Sequence, residues 1–254
     1  FGALGRYFFS SRAEYEQREI NVFDADGNNY AEYNIAQSGV RAFLGRELGN
    51  YGALSAGLRR YTGNAEVLIG DPALPDSDTD TGELVLAAEL DRLDSLFFPR
   101  EGYLARASYT FSRESLGADS KFEQLDVDAL AAFGFGKHST QLGLRYHTTL
   151  DGVAPLQSLY RLGGYSRLVG FQPNQLSGQH YAVLMAGYSY QIGKLLDQEA
   201  LVGTAIEYGN IWQQRSDMGF DDAILNGSVY IGMDSWLGPI LFGLGAREGG
   251  EFNL

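Results

Sequence analysis

Along most of the chain, apolar and polar residues alternate for about ten positions and then give way to a cluster of Gly, Asn, Asp or Pro. Leu142, Leu144 and Tyr146 alternate with Gln141, Gly143 and Arg145. Ala182, Leu184, Ala186, Tyr188, Tyr190 and Ile192 alternate with Gly187, Ser189 and Gln191. A period of two is the signature of a β-strand, and a run of roughly nine to eleven tilted residues crosses a bilayer. The faces opposite the apolar ones carry polar and ionisable groups far from any turn: Gln124, Asp126 and Asp128, then Glu89 and Asp91, then Arg145 and His147. A water-containing lumen tolerates such groups, whereas a dry core does not.

The periodicity predicts about twelve strands, near 3–19, 30–47, 52–69, 82–95, 103–115, 122–136, 139–150, 180–193, 200–213, 224–236 and 239–247, with the opening of one more at the end. Their connections alternate in kind. NVFDADGNN, DPALPDSDTDT, SRESLGADS, the segment from Asp151 to Gln179 and QQRSDMGFDD are long, while RELGNYG, FFPREG, GKHS and SWLGP are short. Outer-membrane barrels have long outer loops and short periplasmic turns. The expected fold is therefore an all-β, antiparallel transmembrane β-barrel occupying residues 1–254 as one domain, in the outer membrane of a Gram-negative bacterium.

Composition narrows the picture. The chain has 254 residues, a net charge of −13, no Cys, 33 Gly, 16 Tyr and 15 Phe, with a mean hydropathy of −0.19. No segment reaches the length of a spanning helix, so a membrane chain of this sequence has to pair its backbone through closed strands. The Tyr and Phe excess suits aromatic girdles at the two lipid interfaces. Acidity argues against a nucleic-acid partner, and the absence of Cys excludes thiol catalysis and thiolate metal sites. Phe1 opens directly into strand-like sequence, as a mature or excised portion would.

Candidate chemistry is sparse. No Gly-x-Ser-x-Gly elbow or nucleotide-binding glycine motif occurs, so no catalytic or cofactor-binding residue is expected. Asp76, Asp78 and Asp80, and Asp24, Asp26 and Asn28, alternate in acidic loops, but Gly27 is misplaced for a calcium loop and no Glu closes the frame. His138, His147 and His180 lack metal-ligand spacing. Pro99 and Gly102 predict a tight turn with Phe97, Phe98 and Tyr103 at the headgroups, and Asp91 and Asp94 read as turn-capping carboxylates.

Four stretches carry a family resemblance: Asp91 to Tyr103, Leu162 to Phe171 (LGGYSRLVGF), Ala205 to Gly209 and the end from Tyr230. They resemble the bacterial surface antigen superfamily of outer-membrane assembly and transport barrels, which includes the central subunit of the barrel assembly machinery and the transporters of two-partner secretion. Within it, AEVLIGDPALPD, RLGGYSRLVGFQPNQLSGQ and LGPILFGLGAREGGEFNL are similar to the barrel of patatin-like autotransporters. In that type V secretion subtype a lipase passenger, a periplasmic domain and a barrel share one chain. The resemblance implies sixteen strands with a long loop between the eleventh and twelfth. On that count this chain begins at the fifth strand and stops inside the last, so about four strands are missing; a complete twelve-stranded barrel is the rival.

The resemblance also implies that the long loop folds into the lumen, where the Arg of an Arg-Gly-Phe/Tyr motif meets an acidic residue on the thirteenth strand. Gly170 and Phe171 match that motif, Glu207 matches the acidic position, and Val169 stands where the Arg belongs. The nearest arginine is Arg167. The expectation is that Arg167 reaches Glu207 and pins the loop, with Gly163, Gly164 and Gly170 permitting close turns. The function this implies is that of a translocator and anchor for a fused patatin-like lipase passenger, with the loop as pin or gate. Its partners would be outer-membrane lipids, the passenger, and the barrel assembly machinery during insertion. The alternatives are a two-partner secretion transporter or assembly factor acting on a separate protein, and a passive pore.

Overall fold

Among the described residues, each predicted alternating run contains a strand, with ends that differ from the expected ones. In a computed structural model, residues 6–23, 29–71, 77–195, 198–236, 238–249 and 252–253 are described. The strands are β1 (Tyr7–Phe23), β2 (Asn29–Glu47), β3 (Gly52–Ile69), β4 (Ser77–Asp91), β5 (Gly102–Ser112), β6 (Phe122–Phe135), β7 (His138–Gly152), β8 (Tyr160–Leu162), β9 (Leu176–Gly178), β10 (His180–Leu195), β11 (Gln198–Trp212), β12 (Ile224–Ser235), β13 (Gly238–Arg247) and β14 (Phe252–Asn253). Twelve of them follow one another in chain order in a single sheet, and β8 pairs with β9 in a separate ribbon within the long loop. The fold class is all-β and antiparallel. Two differences from the expected spans are physical. β4 starts at Ser77 rather than 82, because its first residues pair with Gly63 to Ala65 of β3. It stops at Asp91 rather than 95, because Asp91 Oδ1 accepts the Leu93 N–H and starts a turn. Asp24, Asp26, Gly27, Asn28 and Asp76 lie outside the described residues.

The chain clusters into two compact units. The first comprises residues 1–90, 106–126 and 147–160. Here β1 and β2 pair from Tyr7↔Arg46 to Phe23↔Asn29, and β3 continues the meander. Val40, Leu44, Leu54, Leu58 and Leu86 are exposed, while Glu83, Thr110, Ser112 and Gln124 are buried. One charged row crosses it, with Arg41 opposite Arg59 and Arg59 opposite Glu83; the Arg59 Nε lies 3.0 Å from Glu83 Oε2. Asp126 accepts from Tyr160 (2.6 Å) and Ser108 (2.9 Å) and sits 3.2 Å from His147 Nδ1. Ile20, Ala31, Tyr33, Ile35 and Ala65 form its apolar cluster, with Leu156 against it.

The second unit comprises residues 91–105, 127–146 and 161–254. It repeats the same inversion of a soluble protein's pattern. Leu142, Leu184, Ile206, Val229 and Phe242 are exposed, and Ser139, Gln141, Ser189, Glu207 and Asn226 are buried. Such a distribution is stable when the apolar face meets hydrocarbon and the polar face is satisfied internally. Glycines on the polar face admit the groups packed over it: a Cβ on Gly203 would lie 2.3 Å from the Tyr230 ring, and one on Gly232 would lie 2.6 Å from Phe98. Phe98, expected at the headgroups with Phe97 and Tyr103, packs instead onto the polar face of β12, whereas Phe97 and Tyr103 are exposed.

Candidate functional site

The most organised polar feature of the second unit is a row running across its strands. Met185 of β10 lies opposite Glu207 of β11. Glu207 lies opposite Asn226 of β12, and Asn226 opposite Arg247 of β13. All four positions share the polar face, because side chains in strands alternate and directly opposed residues fall on the same side. In β11 the alternation is sharp, with Ile206 54% exposed and Glu207 2%.

The long loop lays its tip along this row in order. Ser166 Oγ donates to Met185 Sδ at 3.8 Å. The Val169 N–H donates to Glu207 Oε2 at 2.7 Å, and the Gly170 N–H to Asn226 Oδ1 at 3.0 Å. Phe171 is buried, with the Arg247 guanidinium 4.3 Å from its ring centre. Asn226 is held for this task by its own amide, which donates to the Ile224 carbonyl at 3.2 Å. Two successive backbone N–H groups therefore find side-chain acceptors, which a buried loop needs when no strand partner is available.

Close turns shape the tip. Gly163 and Gly164 have φ of 120° and 92°. The Gly163 N–H donates to Arg167 O, and that of Gly164 to Phe171 O, so the segment folds back on itself. Ser166 and Leu168 are left-handed without being glycine, at φ 60° and 68°, and Leu168 is completely buried. Strained non-glycine backbone of this kind persists only where the surroundings over-determine it. Gly170 serves close approach rather than a turn: a Cβ there would lie 2.4 Å from Arg247 Cβ and 2.7 Å from Asn226 Oδ1. The Val169 side chain in turn lies over Gly245, where a Cβ would approach its Cγ2 to 2.3 Å.

A family model described as the Omp85 superfamily domain matches residues 4–245. The chain belongs to the Omp85 superfamily. No curated protein matches its sequence. Among solved structures, the Omp85 chain is similar to BamA from Haemophilus ducreyi lacking POTRA domains 1–3, at 14% identity and a TM-score of 0.77, over 97% of this chain and 57% of that one. It is also similar to CdiB from Escherichia coli, at 16% identity and a TM-score of 0.64, over 95% of this chain and 46% of that one. At such identities the likeness is one of fold, and the Omp85 chain spans about half the length of these two structures.

The sequence-based site is partly assembled. Gly163, Gly164, Gly170, Phe171 and Glu207 come together at the docked tip, but the residue that meets Glu207 is Val169, not Arg167. Arg167 turns its guanidinium to the Arg161 carbonyl. The physical reason lies in the substitution at the motif position: valine offers only its backbone donor, and Arg167, two residues earlier, sits in the turn closed by Gly163 and Gly164. Asn226, Arg247 and Met185 are additions. Asn226 carried a signal, as the one amide in the largely apolar stretch ILNGSVYIG. Two of the three histidines have separate structural neighbours, His138 bonding Tyr188 at 2.6 Å and His147 lying beside Asp126.

Proposed function

We propose that this Omp85 domain is the outer-membrane translocator and anchor of a patatin-like autotransporter, with the docked loop as a conformational pin. The observation that carries the reading is the loop tip bound through Val169, Gly170 and Phe171 to one inter-strand row. A passive pore has no use for a strained segment held against its wall by paired donors. The apolar outer faces supply the lipid contact, and the lipase assignment rests on the resemblance of AEVLIGDPALPD, RLGGYSRLVGFQPNQLSGQ and the end from Leu237. Work at the outer membrane proceeds without ATP, so passenger folding or strand pairing drives movement of the pin.

Intact mass and end sequencing of the native protein test this. A parent far heavier than 27.8 kDa with a Gly-x-Ser-x-Gly domain upstream supports the autotransporter. Small periplasmic repeats in place of the lipase support a two-partner secretion transporter or assembly factor, and a mature protein limited to these residues overturns both.

A further inference from the structure

Glu207 is a buried carboxylate with an incomplete local shell. Its Oε2 takes the Val169 N–H, while Oε1 has no hydrogen-bond donor among the described residues. A buried charge of this kind requires a countercharge nearby. Arg167 turns its guanidinium to the Arg161 carbonyl, and the Arg247 guanidinium lies over the Phe171 ring. Arg145 of β7 is differently placed. Its Nη2 lies 3.5 Å from Ser166 Oγ, and the same hydroxyl donates to Met185 Sδ, the residue directly opposite Glu207. Ser166 reaches this position only by adopting a left-handed φ of 60°.

We propose that Arg145 replaces the arginine missing at position 169 as the cation that balances Glu207 beneath the docked loop, with Ser166 as the loop residue that holds it. The family-type pin, a loop arginine on a strand carboxylate, is thereby turned around: the cation stands on the wall and the loop contributes a hydroxyl and two backbone N–H groups. Arg145 is a positioning residue, since it acts on the loop through Ser166 and Glu207. The inference deepens the pin reading and rests on it, not on the identity of any passenger.

Hydrogen exchange of the loop peptide covering 163–171, followed by mass spectrometry on the full protein in detergent, tests it. Arg145→Gln is expected to speed exchange about tenfold, because Glu207 loses its counter-ion. Arg145→Lys, which keeps the charge, is expected to stay within about threefold of the parent. The double variant R145Q/E207Q, which removes both charges while leaving an amide oxygen for Val169, is expected to return to slow exchange. Parent-like exchange in Arg145→Gln, or a double variant as fast as the single, overturns the proposal. If Arg145→Gln does not assemble, the double variant decides alone: assembly with a slow loop supports the charge pair, and failure refutes it. Because the readout is confined to the loop, it is independent of whether a lipase domain exists.

Discussion

At the scale of single residues, the loop's docking depends on what is small as much as on what is charged. Gly170 has no room for a Cβ, and the atoms in the way, Arg247 Cβ and N, belong to or adjoin backbone. Gly170→Ala is therefore expected to undock the tip at a cost of about 1–3 kcal/mol, seen as faster exchange of the loop peptide and an earlier loss of the folded band on heating before electrophoresis. Asn226 tests the polar half of the same contact. It is 1% exposed, and Asn226→Ala leaves the Gly170 N–H buried without an acceptor, which costs about 1–3 kcal/mol. A thermal midpoint within error of the parent would show that this hydrogen bond is dispensable. Glu207 was legible as a polar-face residue because strand parity places it there. The partner of Glu207 was not legible, since a motif read as Arg–carboxylate says nothing about a backbone donor, and Val169 can offer nothing else.

Elements explain why the row itself escaped the sequence. Parity tells which face a residue occupies, but opposition across strands depends on turn length and on slips in register. Between Gln191 and Gly193 the pairing of β10 with β11 shifts by one residue, and that slip puts Met185 opposite Glu207. The bracing of the loop onto β13 has a direct test in a chain without cysteine. A Cβ on Gly245 lies 3.1 Å from Val169 Cβ, close to the separation of about 3.8 Å in a disulfide. The pair V169C/G245C is expected to crosslink spontaneously in an oxidising environment, read as a mobility shift abolished by reductant; two free thiols in folded barrels would contradict the docked position. The turn after β4 was legible from Pro99, Gly102 and the carboxylates. Asp94 Oδ1 accepts the Arg100 and Glu101 N–H groups at 2.9 and 3.0 Å. Burial works against its ionisation, but these N–H groups prevail and hold its carboxyl below the usual range. A depressed carboxyl stabilises above its unfolded pKa of about 3.9, and that stabilisation disappears as pH falls through the lower folded value. The folded barrel should lose thermal stability over that acid window, and Asp94→Asn should flatten this part of the profile; an identical profile in the variant would remove Asp94 from the account.

For the whole molecule, the inverted distribution of apolar and polar faces was the clearest message in the sequence, and it needed no motif. Long alternating runs such as Gln141 to Tyr146 dictate strands, and their buried polar members exclude an ordinary dry core. What such runs leave open is the work done, because superfamily barrels share this pattern whatever they transport. The translocator reading adds a claim about movement: the pinned loop must change position, or hold while a seam opens, when a passenger crosses. On the proposed autotransporter reading, the most direct measurement is surface exposure of the proposed passenger on intact cells producing the native protein, scored by protease shaving beside a Gly170→Ala form that still inserts in the outer membrane. The account predicts a lipase domain accessible at the surface with the parent barrel and markedly reduced delivery with the undocked loop. A passenger that remains in the periplasm with the parent barrel, or delivery indifferent to the loop, would contradict it.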